Sequence, residues 1–327
     1  MRISMHLLVT GGCGFIGCNF IRYMLKAYPK MSVTNFDKLT YAGNPENLRD
    51  FEKSDQYSFI QGDICEPATV EKVFRQNHFD AIVHFAAESH VDRSIDGGSV
   101  FVNTNVLGTY TLLEAAKQYN LQKFIHISTD EVYGSTLEGS FTEKDVLKPS
   151  SPYSASKAGS DLLAISFYTT HRLPVIVTRC TNNYGPYQYP EKLIPFFTTN
   201  CIEGKKLPIY GTGENVRDWL YVIDHCRAID FILRNGTVGE IYNIGGGEEK
   251  TNLEITTTIL NALGKDESMI EYVEDRKGHD FRYSLDSSKL KQMGWEPRYS
   301  FEEAMSETIQ WYVENEWWWC PLKNGNN

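Results

Sequence analysis

The sequence predicts an α/β protein: a Rossmann-type, doubly wound parallel sheet with a smaller mixed α/β C-terminal substrate-binding lobe. Three observations carry this expectation. Short apolar runs (HLLVT, SVTNFD, DAIVHFAA, KFIHIST) alternate with helix-length amphipathic stretches through the first half, the pattern of parallel strands joined by helical crossovers. The first run passes directly into a glycine-rich turn, GGCGFIG, that opens a helix. After about residue 180 the texture changes to loops rich in Pro, Gly and Tyr, such as NNYGPYQYPEKLIP and KKLPIYGTGENVRDW, as expected of binding loops held on a scaffold.

These shifts divide the 327 residues into a nucleotide-binding domain over 1–180, to which a later stretch of about 216–246 returns, and a lobe over 181–322. The polar end, 323–327, reads as a frayed tail. No apolar run approaches the roughly 20 residues that span a bilayer. The N-terminal apolar stretch leads straight into the glycine turn, which marks it as a first strand rather than a signal peptide. A cytoplasmic chain is the expectation.

A formal charge of −10 argues against a nucleic-acid partner, because such binding relies on clustered Lys and Arg. A single nucleotide diphosphate needs only a local site of backbone amides or cations and is not excluded. The seven cysteines are scattered and contain no CxxC pair, so reduced thiols are expected rather than a disulfide framework. His84, His90, His126 and His225 have no ligand spacing, and no metal is expected.

Gly11, Gly14 and Gly17 follow a strand and open a helix. The GxxGxxG spacing is a variant of the dinucleotide fingerprint, in which small residues let the backbone approach a pyrophosphate at the helix N-terminus. Asp37 closes the next apolar run about 20 residues on, where a carboxylate accepts hydrogen bonds from ribose hydroxyls. It would repel a 2′-phosphate, which favours NAD over NADP, although Lys38 next to it pulls the other way. Asp63 in FIQGDI either meets the adenine or caps a turn. Ala86 and Ala87 either permit close approach of a dinucleotide or simply pack.

Two further groupings carry chemistry. Tyr153 and Lys157 in PYSASKAGSD stand four residues apart, on one face of a helix. An ammonium beside a phenol lowers its pKa and prepares it as a general base for an alcohol. HISTDEVYG runs a strand into Thr129, Asp130 and Glu131. Adjacent carboxylates at the end of a buried strand are costly unless paired or used.

GGCGFIG, the strand ending in IST, and YSASK together resemble the extended short-chain dehydrogenase/reductase superfamily. Within it, STDEVYG, DKLTYAGN, AAESHVDRS, NNYGPYQYPEKLIP, GENVRDWLYV and YNIGG resemble the dTDP-glucose 4,6-dehydratase family, over residues 6–322. The resemblance implies an NAD enzyme that oxidises a nucleotide sugar at carbon 4, eliminates water across carbons 5 and 6, and returns the hydride to carbon 6. Glu131 is then the base at carbon 5 and Asp130 the acid on the departing 6-hydroxyl. Thr129 hydrogen-bonds the 4-oxygen, and Tyr153, with Lys157, takes the 4-hydroxyl proton.

By position the resemblance also implies Phe15, Ile16, Lys38, Thr40, Ile64, Ser89, Thr104 and Asn183 at the cofactor. Ser89, Thr129, Asn182, Lys192, Leu193, Arg217, Asn252, Arg276 and His279 are implied at the nucleotide sugar, with Pro208, Ile209 and Tyr210 at its base. It further implies a homodimer joined through helices that include the one carrying Tyr153 and Lys157. Lys277 and Phe281 stand where the family more often has Pro and Arg, and Cys13 and Cys18 where Ala and Ser are usual.

Related readings, a UDP-glucose 4,6-dehydratase, a nucleotide-sugar 4-epimerase or a UDP-glucuronate decarboxylase, would also use Tyr153, Lys157 and NAD. The last two leave Asp130 without a task. A non-catalytic NAD-binding scaffold would need neither the acid pair nor the Tyr–Lys pair. The cluster Trp317, Trp318 and Trp319 is expected to pack the C-terminal segment onto the lobe rather than stack a sugar.

Overall fold

The computed structural model describes residues 5–275 and 280–325. The first half runs β1 (His6–Thr10), α1 (Phe15–Ala27), β2 (Ser32–Asp37), β3 (Tyr57–Gln61), α2 (Pro67–Gln76), β4 (Ala81–His84), α3 (Val91–Asp96), α4 (Ser99–Phe101), α5 (Thr109–Gln118), β5 (Lys123–Thr129), α6 (Pro152–His171) and β6 (Val175–Cys180). The second half runs β7 (Asn182–Tyr184), α7 (Leu193–Ile202), β8 (Leu207–Tyr210), β9 (Val216–Tyr221), α8 (Val222–Asn235), β10 (Ile241–Ile244), β11 (Glu249–Thr251), α9 (Asn252–Ala262), β12 (Ile270–Val273), α10 (Ser288–Gln292), α11 (Phe301–Glu314) and α12 (Glu316–Lys323).

Seven parallel strands form the main sheet in the order β10-β6-β5-β4-β1-β2-β3. It is the doubly wound sheet expected from the alternation of runs. The chain reverses its direction of travel between β1 and β4, and the crevice beyond their carboxyl ends is where such sheets hold ligands. The central strands β4, β5 and β6 are buried almost throughout, as near-continuous apolar runs covered by helices on both faces must be, whereas the edge strand β3 is largely exposed.

Of the stretch 216–246, β10 extends the main sheet and α8 packs on α1, whereas β9 lies between β7 and β11 in a separate three-stranded sheet. A third, two-stranded sheet pairs β8 with β12 in parallel. Lys323 ends α12 and its ammonium donates to Asn200 and Glu203, so the tail expected from 323 begins later than the sequence suggests. Trp318 and Trp319 are buried and Trp317 is exposed. Trp318 also reaches beyond the lobe: its Nε1 donates to Asn47 Oδ1 at 2.7 Å, and Asn47 Nδ2 donates to the Cys13 carbonyl at 2.8 Å. The C-terminal helix thereby braces the glycine turn.

Two local departures from regular helix position the cleft. The helical segment that carries Val102, Val106, Tyr110 and Leu113 widens into a π-turn over Val102–Gly108, a distortion that recurs at functional sites. Within it, buried Asn105 accepts from Glu88 N at 2.8 Å and donates to Glu88 O at 3.0 Å and Ser156 Oγ at 2.8 Å. One amide thus ties the loop after β4 to α6. Helix α6 starts with Pro152 behind a Ser151–Ser154 capping box, which satisfies orphan amides at its first turn and fixes where Tyr153 falls.

Candidate active site

The glycine turn owes its shape to close backbone contacts. Gly11 has φ +70°, and a Cβ there would lie 2.5 Å from Ala86 N; a Cβ on Gly17 would lie 2.3 Å from Gly11 O. Gly14 differs, since a Cβ would meet only Gly11 O at 3.3 Å. Gly11 and Gly17 are therefore required by packing, and Ala86 is the neighbour that makes Gly11 necessary. At the end of β2, Asp37 accepts from Cys13 N at 2.9 Å and Leu39 N at 2.8 Å. Burial pushes its carboxyl up while those two amides oppose the shift. Lys38 pairs with Asp63 at 2.7 Å, so its ammonium is already neutralised. Asp63 Oδ1 accepts from Cys65 N at 2.9 Å; it caps a turn while also lining the cleft.

One continuous cleft runs from this turn to the ends of β5 and β6. Every residue expected at the cofactor lines it: Gly11, Gly14, Phe15, Ile16, Gly17, Asp37, Lys38, Thr40, Asp63, Ile64, Ala86, Ala87, Ser89, Thr104, Tyr153, Lys157 and Asn183. Thr129, Asp130, Glu131, Asn182 and Lys192 line it as well. The cradle fits a dinucleotide by its narrow glycine wall and by a carboxylate at the end of β2.

The reacting end lies beneath the 3₁₀ turn Asp130–Tyr133, capped by Thr129, whose hydroxyl accepts from Glu131 N at 3.3 Å. Thr129 Oγ1 donates to Asp130 Oδ1 at 3.1 Å, and Asp130 Oδ2 is buried without a partner. Burial first, then the Glu131 carboxylate, pushes Asp130 up to about 8. An acid in that state is protonated near neutrality, as paired carboxylates with separated roles require.

Lys157 Nζ donates to Ile127 O at 2.7 Å. Burial pulls its ammonium down to about 8, opposed by Asp161 and Cys180. Tyr153 is held well above the usual phenol range by burial and then by Glu131, with the Thr129 hydroxyl opposing. The expectation that Lys157 lowers this phenol is corrected: its ammonium is engaged by the Ile127 carbonyl and does not offset burial and two acids.

Further residues line or border the site that sequence reasoning did not select. Cys180, Gln188, Tyr189, Glu88 and Glu191 line the cleft, and buried Tyr283 lies in the field of Glu131 beneath the Arg217 guanidinium, 4.4 Å away. Tyr283 ends the stretch RKGHDFRY, where a lone phenol among charged residues gives no sequence signal of a place at the site.

Among the described residues, the rest of the expected substrate set does not line the cleft. Arg217 donates to the carbonyls of Val216, Asp280 and Phe281, and its charge reaches Asp130. Pro208, Ile209 and Tyr210 form β8; Tyr210 is exposed, whereas Ile209 packs in the main core. Its side chain is thus corrected from a base contact to a core residue. Leu193 opens α7 and Asn252 opens α9. Arg276 and His279, with Lys277, lie outside the described residues.

A parallel nucleotide-binding sheet whose crevice joins a Tyr–Lys helix pair to an acid pair defines an extended short-chain dehydrogenase/reductase. The family model described as GDP-mannose 4,6 dehydratase matches residues 8–308, and the chain belongs to that family. A dTDP-glucose 4,6-dehydratase of Streptomyces niveus is 53% identical over 325 residues, covering 98% of this chain and 96% of the relative. The crystal structure of a dTDP-glucose 4,6-dehydratase from Streptomyces venezuelae, with NAD and a second ligand bound, superposes with a TM-score of 0.95 at 53% identity, over 97% of this chain and all of that one. A UDP-glucose 4-epimerase of Thermus thermophilus in complex with NAD gives 0.88 at 30% identity, over 95% of this chain and 100% of that one.

Proposed function

We propose that this chain is an NAD-dependent dTDP-glucose 4,6-dehydratase, converting dTDP-glucose to dTDP-4-dehydro-6-deoxyglucose and water in deoxysugar biosynthesis. The observation that carries the reading is Asp130, a buried acid kept protonated beside Glu131 and close to Tyr153. A 4-epimerase has no use for a neutral acid there, and its lower identity to this chain agrees.

NAD, when bound, supplies a hydride acceptor for carbon 4 and returns that hydride to carbon 6. Tyr153 takes the 4-hydroxyl proton in its phenolate form, which has to form against the burial that favours the neutral phenol, and Thr129 hydrogen-bonds the 4-oxygen. A ketone at carbon 4 makes the carbon 5 proton acidic; Glu131 removes it, and gives a solvent-exchanged proton back to carbon 5 as the hydride arrives at carbon 6. Asp130 gives its proton to the departing 6-hydroxyl. Lys157, held by the Ile127 carbonyl, keeps a positive charge behind Tyr153 and fixes the helix face that carries it.

Residues 1–180 supply the NAD half and 181–322 most of the nucleotide-sugar lobe. Asn182, Lys192, Arg217 and Asn252 are read as contacts of the diphosphate and nucleoside, with Pro208 and Tyr210 at the base and Ser89 at the sugar. The exposed apolar side chains of Ile95, Val100, Val102, Leu107, Tyr110 and Leu162, on α3 to α6 and the π-turn between them, support a homodimer joined through these helices; light scattering of the purified protein tests it. Seven unpaired thiols suit a reducing compartment, the cytoplasm. Among the described residues no helix is long and apolar enough to cross a membrane.

Incubating the protein with NAD and, separately, dTDP-glucose, UDP-glucose and UDP-glucuronate tests the assignment. Loss of water from dTDP-glucose supports it. A product of unchanged mass rejects it for an epimerase, and loss of carbon dioxide from UDP-glucuronate for a decarboxylase.

A further inference from the structure

At the mouth of the cleft, apart from the reacting groups, three side chains, Tyr41, His90 and Arg93, converge on the carboxylate of Glu191. Tyr41, in the turn after Asp37, donates its hydroxyl to Glu191 Oε1 at 2.9 Å, across 150 positions of sequence. The Arg93 guanidinium stacks 3.7 Å from the centre of the Tyr41 ring and lies 3.8 Å from Glu191 Oε2. His90 Nε2 is 3.5 Å from the same oxygen. Beside them Lys192 Nζ donates to the Ser89 carbonyl at 3.3 Å.

The Glu191 side chain is 17% exposed, so its bond to Tyr41 is largely shielded from water, whereas Arg93, at 53% exposed, is an ordinary surface partner. Burial, and then Glu191, pushes the Tyr41 phenol up, which keeps it a hydrogen-bond donor at all ordinary pH. Thr40 and Ala42, on either side of Tyr41, line the cleft, as do Ser89 and Glu191 themselves. The cluster therefore fastens the loop bordering the Asp37 end of the cleft to the loop that opens α7 in the second half of the chain.

We propose that this Glu191-centred clasp controls cofactor exchange: while Tyr41 is bonded to Glu191 the loops over the cleft stay joined, and NAD leaves only when the bond opens. The inference rests on reading the cleft as the NAD site. It agrees with the chemistry, because a reaction that returns its hydride in every cycle does not need to exchange NAD. Only the nucleotide sugar has to enter and leave, so a closed clasp does not slow turnover.

Tyr41→Phe removes one hydroxyl and keeps the ring under Arg93, so the fold is preserved. Protein loaded with NAD is freed of excess nucleotide by rapid gel filtration, and released NAD is trapped by an alcohol dehydrogenase with ethanol. The clasp predicts release about tenfold faster than in the unaltered chain, as expected for a lost hydrogen bond to a charged group, with kcat at saturating NAD unchanged. Arg93→Met is expected to accelerate release in the same direction. Unchanged release in Tyr41→Phe overturns the clasp, as does a parallel change in release and kcat, which marks general loosening. Failure of the unaltered protein to bind NAD at all overturns the cofactor reading itself and is separately visible.

Discussion

Thr129 Oγ1 donates to Asp130 Oδ1 at 3.1 Å, while the second Asp130 oxygen is buried without a partner. A carboxylate in this position would be strongly disfavoured, whereas a carboxylic acid satisfies one oxygen through Thr129 and keeps a proton to give. Asp130→Asn preserves the shape and removes that proton. The expected outcome is an elimination step slowed by roughly 10²–10⁴-fold, with oxidation at carbon 4 nearly intact, read by single-turnover absorbance of NADH. An unchanged elimination rate would reject Asp130 as the acid.

Glu131→Gln should separate the same steps from the other side. The amide cannot remove the carbon 5 proton, so NADH should accumulate and water loss should fall by roughly 10²–10⁴-fold. Normal product formation by this variant would remove Glu131 from its role.

The pH dependence has a definite sign. Asp130, pushed up to about 8, donates its proton below that pH and not above it; Lys157, pulled down to about 8, is charged below and neutral above. Both changes impair the reaction as pH rises, so kcat should fall through about pH 8 more steeply than a one-proton limb. In Asp130→Asn, oxidation alone should retain a one-proton limb from Lys157, and a flat profile there would contradict the assignment.

The sheet and the cofactor half of the site were readable because each signal is local. A strand, a glycine turn and a helix follow one another in GGCGFIG, Asp37 ends the next strand, and Tyr153 and Lys157 stand one helical turn apart. The smaller sheets were not readable, since β8 pairs with β12 across a long separation and nothing in LPIY names its partner. The same holds for Tyr41 and Glu191, which meet only when the loops fold together. Ile209 was misjudged because an apolar strand residue gives no sign of whether it faces a ligand or the core. The state of Tyr153 depends on burial and on Glu131, neither of which the YxxxK spacing contains.

The glycine turn offers a test of packing against binding. Gly17→Ala drives a methyl group against the Gly11 carbonyl and should cost about 1–3 kcal/mol of stability, as overpacking does, with loss of NAD binding. Gly14→Ala brings a methyl group only to 3.3 Å from the Gly11 carbonyl, a milder crowding, so its melting temperature should fall less than that of Gly17→Ala while NAD affinity falls. Equal destabilisation by both would contradict the distinct roles of the two glycines.

The central claim is the sequence of oxidation, elimination and hydride return within one site. Its most direct test is mass spectrometry, with NMR location of the label, of the product formed from dTDP-glucose and NAD in deuterated water. The account predicts loss of one water and gain of one solvent deuterium at carbon 5. A product of unchanged mass, or water loss with no deuterium at carbon 5, would contradict it.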